Sequence, residues 1–222
     1  MKRRLVTSLA DKSAFIWSGI SWDIDWRAQS AGVTTSGRRN IAIGELPRWV
    51  GSIQFVNVRE KVAAWNAMRM SGRGPAAVYR VHMGDKVTDG YSKGAPVSFS
   101  GNVFFADGAG FLANAVVPLV GDVAAGASEI VVDETGISTP IQVGQVMSCR
   151  DWPFCVIARR GSGSSVTLTV EMPIRKAMLD GDLLRLRGAG LFELVDPAQG
   201  AQSYGATLVA RPELRLQEWL YR

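Results

Sequence analysis

Hydrophobic and polar residues alternate along much of the chain, which is the period-two pattern of half-buried β-strands. The clearest stretch is Trp22–Trp26 (WDIDW), in which two carboxylates share one strand face and three apolar side chains share the other. Residues 49–56 repeat the pattern, with Trp49, Ile53 and Phe55 on one face. The pattern therefore predicts a mainly β fold.

One segment has helical instead of strand periodicity. Val58, Val62 and Trp65 recur at helical spacing among alanines, which are good helix formers. Asn57 is a residue type that favours the N-cap position at a helix start. The segment therefore predicts one helix at about residues 57–70, packed on a sheet through those three apolar side chains.

The composition changes near residue 119. Beyond it, short β-branched runs alternate with Gly-Asp and Gly-Ser turns, at about five strands in about 70 residues, which is typical of a small antiparallel barrel. We therefore predict a first, sandwich-like or barrel-like β domain at residues 1–118 with the one helix. A small inserted barrel follows at 119–188, and a β tail at 189–222 returns to the first domain.

Charge is distributed unevenly along the chain, whose net charge is +5. Residues 1–110 hold 15 basic and 8 acidic side chains, whereas residues 111–222 hold 10 basic and 12 acidic ones. This asymmetry favours an oriented electrostatic interface. The basic residues are scattered and not interleaved with aromatic ones, so sequence-specific nucleic-acid binding is not expected. No apolar run approaches the ~20 residues of a membrane span. We therefore expect that the chain is synthesised in the cytoplasm and does not insert into a membrane.

The sequence offers few residues for catalysis or metal binding. His82 is the single histidine, it falls at the end of a predicted strand, and no nucleophile motif accompanies it. Cys149 and Cys155 follow no zinc-ligand spacing. They flank a predicted turn, so a local disulfide between them stays open, and free thiols are the simpler interpretation. We therefore expect no metal, no cofactor and no enzymatic activity.

Several short strings resemble one protein family. They are the helical string at residues 58–65 (VREKVAAW) and, in the predicted barrel and the return from it, residues 125–132 (AGASEIVV), 143–147 (VGQVM), 172–182 (MPIRKAMLDGD) and 190–194 (GLFEL). Their order resembles the distal tail proteins of long-tailed bacteriophages and related tail-like particles. Gln145 departs from the acidic residue usual in the family at that step.

The resemblance implies a structural virion component. A protein of this family would form a ring, expected to be a hexamer, at the distal end of the virion tail, after assembly in the host cytoplasm. The ring would join the tail tube protein to the hub, tail tip or baseplate, and DNA would pass through its lumen. A ring needs heterologous contacts repeated around an axis. Strand alternation and loop position, not the family, suggest six residues as interface candidates: Trp22, Asp23, Asp25, Arg38, Arg39 and Trp152.

Two other functions stay open. Exposed aromatic side chains suit sugar stacking as well as protein contacts, so Trp22, Trp26 and Trp152 also fit a carbohydrate-binding module of a phage tail tip that contacts the host surface. Asp23 and Asp25 stand about 6.5–7 Å apart at the backbone on one strand face, a separation compatible with acid–base glycoside hydrolysis. A solvated or docked charged face is the simpler interpretation of this pair.

Overall fold

A computed structural model of the chain describes residues 4–6, 16–33, 39–42, 44, 46–72, 77–83, 116–137, 139–196, 198–201 and 209–221. The fold is mainly β, as predicted, and the described residues contain one helix, α1 (Glu60–Gly72). The described strands are β1 (Arg4–Val6), β2 (Ile16–Asp25), β3 (Gln29–Val33), β4 (Arg39–Ala42), β5 (Arg48–Val58), β6 (Ala77–His82), β7 (Val116–Pro118), β8 (Glu129–Val132), β9 (Val146–Cys149), β10 (Trp152–Ser162), β11 (Ser165–Glu171), β12 (Leu183–Arg185), β13 (Ala189–Leu194), β14 (Val209–Ala210) and β15 (Glu213–Glu218).

The chain divides into two compact units. Unit 1 comprises Met1–Val81 and Leu191–Arg222, and unit 2 comprises His82–Gly190. The predicted first domain extends to residue 118. Strand β7, at the end of that stretch, instead pairs with β12 in the second sheet. That pairing joins residues more than 60 positions apart, so no local pattern reveals it.

Unit 1 is built on a sheet with the strand order β1-β6-β13-β15-β5-β14, and β2 also pairs with β5. Strands β2 and β15 both run antiparallel to β5, which is 11 residues long, and β1 runs parallel to β6. Strand β2 is continuous, although its register against β5 shifts between Trp17 and Gly19. A bulge absorbs the extra residue without ending the strand.

The core of unit 1 lies between β5 and α1. Trp49, Ile53 and Phe55 are buried on one face of β5, as their alternation predicted. Trp65 of the helix is fully buried, and its ring lies 4.7 Å from that of Phe55. Val62, one turn earlier, is also buried, which confirms the predicted packing of the helix through these two side chains.

The predicted helix start at Asn57 is wrong. Asn57 and Val58 are the last residues of β5, where they pair with Ala210 and Val209 of β14. Arg59 then turns the chain with a φ of 50°, and the helix begins at Glu60. Val58 is consequently exposed and does not pack on the sheet. The strand continues past the N-cap signal because a partner strand about 150 residues later pairs with it.

The described part of unit 2 forms a small barrel. Its six strands pair antiparallel in the order β7-β12-β9-β10-β11-β8. Leu119, which follows β7, bridges to Val132 of β8, and the Val120 amide donates to the Val131 carbonyl at 2.8 Å. This bridge joins the first and last strands of the order, so the sheet closes on itself. Alternate residues of β10 and β11, including Phe154, Val156, Val166, Leu168 and Val170, are buried as its core.

Candidate binding groove and interface residues

A small groove lies on the surface of unit 2, between the turn that precedes β10 and the segment that follows β11. Its walls include Trp152 and Pro153 on one side and Pro173, Arg175 and Lys176 on the other. All of the lining residues are described, and none of them is Asp or Glu. The groove therefore combines an aromatic and proline surface with positive charge.

A tight turn positions Trp152 in this groove. Arg150 and Asp151 have φ values of 48° and 67°, and they connect Cys149 of β9 to its register partner Trp152 of β10. Two consecutive left-handed residues define a type I′ hairpin turn, which matches the twist of antiparallel strands. Trp152, an interface candidate suggested by its loop position, is the first residue of the strand that follows the turn, where it is half-buried.

Two ion pairs fix the turn. Arg185 Nη1 lies 2.7 Å from Asp151 Oδ1, and Arg150 Nη2 lies 2.9 Å from Asp182 Oδ1. The pKa of Asp182 is lowered chiefly by the hydrogen bond from the Leu179 amide, and also by Arg150. Asp182 is therefore ionised at neutral pH and holds the Arg150 guanidinium at the groove.

The two cysteines of the barrel are unsuited to nucleophilic chemistry. Cys149 is buried and lines the groove, Cys155 is half-buried, and both are free thiols. Burial raises the pKa of each, and the nearby carboxylates Asp182 and Glu171 raise them further. Because the thiolate is the reactive form, both side chains act as apolar groups at neutral pH.

Asp23 and Asp25 lie on β2 with different surroundings. Asp25 Oδ2 accepts a hydrogen bond from Arg48 Nε at 3.1 Å, and Oδ1 accepts one from the Arg27 amide at 2.9 Å. The Arg27 amide, followed by Arg48, lowers the pKa of Asp25. Asp23 is exposed and accepts from the Ile24 amide at 2.7 Å. A glycosidase needs one carboxylic acid with a raised pKa, and Asp25 has the opposite property.

The structure describes the tryptophans among the remaining candidates, but not the side chains of the two arginines. Trp22 is half-buried, with its ring 4.8 Å from that of Phe192, so part of its surface serves the fold of unit 1. Trp26 is 38% exposed. Arg38 lies outside the described residues, as does the side chain of Arg39, whose backbone is in β4.

Sequence reasoning missed two elements of these sites. Arg48 stands opposite Asp25 in the β2–β5 register, and a pairing of that kind cannot be read from local pattern. The two basic residues of the groove, Arg175 and Lys176, are adjacent in the sequence, in the string IRKA at 174–177 that follows Pro173, and could have been identified from it. Its relation to Trp152 depends on the closure of the barrel.

The described residues contain no group of three or more His, Cys, Asp or Glu side chains that could hold a metal ion. His82 is the last residue of β6, as predicted, and is half-buried. No helix within the described ranges is long and apolar enough to cross a membrane. No protein-family model matches the sequence, and no curated protein matches it either.

Proposed function

We propose that the chain is a structural subunit of a phage-like tail, a distal tail protein that forms a ring between the tail tube and the tip or baseplate. The observation that carries the proposal is the insertion of one β unit into another. The chain leaves the first sheet after β6 and returns on β13, its neighbour in that sheet, after completing a closed six-stranded barrel. This is the arrangement that the resemblance to distal tail proteins implies.

The edge of the first sheet supports a role in assembly. Among the described strands, β2 pairs with β5 alone, although it is 10 residues long. Backbone groups along an unpaired strand edge can pair with a strand of another chain. Such a contact would be heterologous, and its repetition around an axis closes a ring. Asp23, exposed on this strand, is the best placed of the predicted contact residues.

The state of assembly tests this proposal. Light scattering and negative-stain imaging of the purified chain, alone and with the tube protein of the same particle, should reveal rings with about six times the 24.0 kDa mass of one subunit. Charge reversal by Asp23→Lys should weaken the rings, whereas Glu129→Lys, which alters an exposed carboxylate of the barrel, should leave them intact. A chain that neither assembles nor binds the tube protein would overturn the proposal.

One observation favours a second function for the same chain. The groove on unit 2 combines Trp152 with Arg175 and Lys176. An aromatic surface beside positive charge is suited to a sugar ligand, and such a site is compatible with a ring subunit. We therefore propose the alternative function, carbohydrate binding, for unit 2 alone.

A further inference from the structure

We infer that two surface patches of the chain, one on each unit, bind each other between copies, so that unit 2 of one molecule docks on unit 1 of the next. The inference goes beyond the proposed ring, because it uses neither the β2 edge nor another tail protein. Two matching surfaces carry it. Each has apolar side chains at its centre and charges at its ends, and the charges of the two surfaces are opposite.

The patch on unit 2 lies on the outer wall of the barrel, beside the seam that joins β7 to β8. Leu183 of β12 is the register partner of Pro118 in β7. Leu119 bridges to Val132 across the seam, and both side chains are buried, so alternation turns the side chains of the residues on either side of Leu119 outward. Leu183 is 59% exposed and Val120 is 40% exposed. We call the surface of these outward side chains the barrel patch: Pro118, Val120 and Leu183.

Three carboxylates border the barrel patch. The amide of Asp133 donates to the Pro118 carbonyl at 3.0 Å, which places Asp133 at one end of the patch. Asp122 and Asp180 lie at the other end, beyond Val120, where the Asp180 amide donates to Asp122 Oδ1 at 2.8 Å. None of the three carboxylates pairs with a cation among the described residues. The barrel patch therefore has negative charge at both ends.

The patch on unit 1 lies at the end of β5. Val58 is the register partner of Val209 in β14. The neighbouring pair, Asn57 with Ala210, is buried, so alternation turns the two valines to the opposite face of the sheet. Val58 is 37% exposed and Val209 is half-buried. The valine pair therefore presents a second apolar surface, on the other unit.

An arginine stands at each end of this valine pair. Arg59 directly follows β5 and Arg211 directly follows β14, and because these strands are antiparallel the two arginines begin on opposite sides of the pair. Both are exposed, and neither pairs with an acidic side chain in the part of the chain that the structure describes. Guanidinium groups form strong, often bidentate hydrogen bonds with carboxylates. We call this surface the sheet patch: Val58, Val209, Arg59 and Arg211.

The charges of the whole units favour the same pairing. Unit 1 has 16 basic and 9 acidic side chains, whereas unit 2 has 9 basic and 11 acidic ones. Opposite charges orient the encounter of two molecules, and burial of the apolar centres then stabilises the complex. A second copy is the partner that these surfaces favour, because every copy carries both of them. The contact is heterologous, so each pair keeps one patch of each kind free for further copies.

Complementation between two altered full-length chains tests the contact. One chain carries Leu183→Arg, which disrupts the barrel patch, and the other carries Arg59→Glu with Arg211→Glu, which disrupt the sheet patch. Only the mixture contains an intact patch of each kind. Sedimentation velocity in 50 mM NaCl should show that the mixture associates at least tenfold more tightly than either chain alone. Equal association of the mixture and the separate chains would overturn the inference.

Matched substitutions outside the patches control for the change of charge. Val143 is 60% exposed, as Leu183 is, but lies beside β10, so Val143→Arg should leave self-association within about twofold. Arg27→Glu reverses an exposed cation near the other end of β5 and should also have little effect. Raising NaCl from 50 to 500 mM should weaken the unsubstituted contact at least threefold, because salt screens the charges. Should Leu183→Arg fail to fold, Val120→Lys disrupts the same patch.

The outcomes separate this contact from the proposed ring. Rings that Leu183→Arg leaves unchanged, with no gain in the mixture, would overturn the inference and leave the ring proposal intact. Complementation in the absence of rings would support the inference while the ring proposal fails. A chain that stays monomeric, but binds the tube protein through a surface that Leu183→Arg disrupts, would overturn the inference in favour of a different protein partner.

Discussion

Units 1 and 2 are both β-rich, but they are stabilised by contacts of different range. In unit 1 the Trp49 amide donates to Glu218 Oε2, across 169 residues, and β5 pairs with β15 from the other end of the chain. In unit 2, β9, β10 and β11 are joined by two hairpins. Loop closure costs entropy before distant contacts form. The side-chain contacts that stabilise the first sheet must therefore offset this larger entropy cost.

The side chains of the two units reflect this difference. Unit 1 concentrates its core in large aromatic residues, of which Trp65 and Phe55 are fully buried and in contact. Unit 2 fills a closed barrel with smaller residues and uses a polar pair, Glu134 with Arg159, to connect the loop after β8 to strand β10. Substitutions of aromatic, charged and glycine residues in turn should therefore affect the two units unequally.

The largest effect is expected from Trp65→Ala. The substitution empties the centre of the unit 1 core and removes the hydrogen bond of 2.8 Å from the indole Nε1 to the Gly200 carbonyl. Replacement of a buried large aromatic by alanine costs about 3–5 kcal/mol. Urea unfolding, followed by circular dichroism, should show this loss in the free energy of unfolding of unit 1.

A matched variant separates packing from hydrogen bonding at this position. Trp65→Phe keeps a ring beside Phe55 but loses the donor, so most of the packing is retained and about 1–3 kcal/mol is lost through the unpaired carbonyl. Equal losses for the two variants would contradict the primary role of packing. A loss in the unfolding of unit 2 would contradict the separation of the two cores.

The second largest effect is expected from Arg159→Ala in unit 2. Glu134 is 6% exposed, accepts from Arg159 Nη2 at 2.6 Å and also accepts from the Ile141 amide at 3.0 Å. Removal of the guanidinium leaves a buried carboxylate without its cation, which we expect to cost about 2–3 kcal/mol because Arg159 itself is partly exposed.

A double-mutant cycle measures this pair. Glu134→Gln keeps an acceptor for the Ile141 amide, so the double variant Glu134→Gln, Arg159→Ala should be more stable than Arg159→Ala alone. Chemical unfolding of the four proteins gives the coupling energy. Additive losses would mean that Glu134 acts through the amide contact and not through the charge of Arg159.

The same contrast in range explains how much of the fold the sequence predicted. In the predicted barrel, strands β10 and β11 are β-branched runs separated by a glycine turn, and a local pattern predicts them because these consecutive strands form a hairpin. The start of α1 was misplaced because β14 extends β5 through Asn57. A capping signal is local, whereas the pairing that overrides it joins residues about 150 positions apart.

The candidate site was predictable in composition but not in geometry. Trp152 could be chosen as an aromatic beside a turn, and the basic pair Arg175-Lys176 is visible in the sequence. Their approach across the groove follows from the barrel, which brings the segment after β11 beside the start of β10. The Asp23–Asp25 alternation was equally visible, but Arg48, which determines the state of Asp25, comes from a strand pairing.

Glycine substitutions should have smaller effects, and for different reasons in the two units. A Cβ on Gly51 would overlap the Trp22 ring and lie 2.5 Å from the Ser21 carbonyl oxygen, so we expect Gly51→Ala to cost about 1–3 kcal/mol in unit 1. Gly126 has a φ of 87° and open space around its Cα. Gly126→Ala should cost only the backbone strain, about 1 kcal/mol.

Asparagine distinguishes the two glycine mechanisms. It tolerates the left-handed region better than alanine, so Gly126→Asn should recover part of the loss, whereas Gly51→Asn should be worse than Gly51→Ala because the obstruction is steric. Thermal unfolding of the four variants checks both expectations. Recovery at Gly51 would contradict close packing of Trp22 on β5.

The smallest effect is expected from acid, and it should appear in both units. Hydrogen bonds from backbone amides, with Arg48 and Arg150 respectively, lower the pKa of Asp25 in unit 1 and of Asp182 in unit 2. A carboxyl group with a lowered pKa in the folded state binds fewer protons there than in the unfolded chain. The stability it contributes is therefore complete above the unfolded pKa of about 3.9 and is lost as the pH falls through the folded pKa. Melting temperatures should be steady from pH 7 to 5 and should fall below pH 4.

Asparagine variants assign this acid sensitivity to each unit. Asp25→Asn and Asp182→Asn remove the titrating groups, so each should lower the melting temperature slightly at pH 7 and converge with the unsubstituted chain near pH 3. Glu129→Gln, at an exposed position of the barrel, serves as the control. Calorimetric scans at pH 7, 5, 4 and 3 measure the convergence. A constant deficit at every pH would contradict the argument, because it would show that these carboxyl groups stabilise the fold by shape or hydrogen bonding and not by their charge.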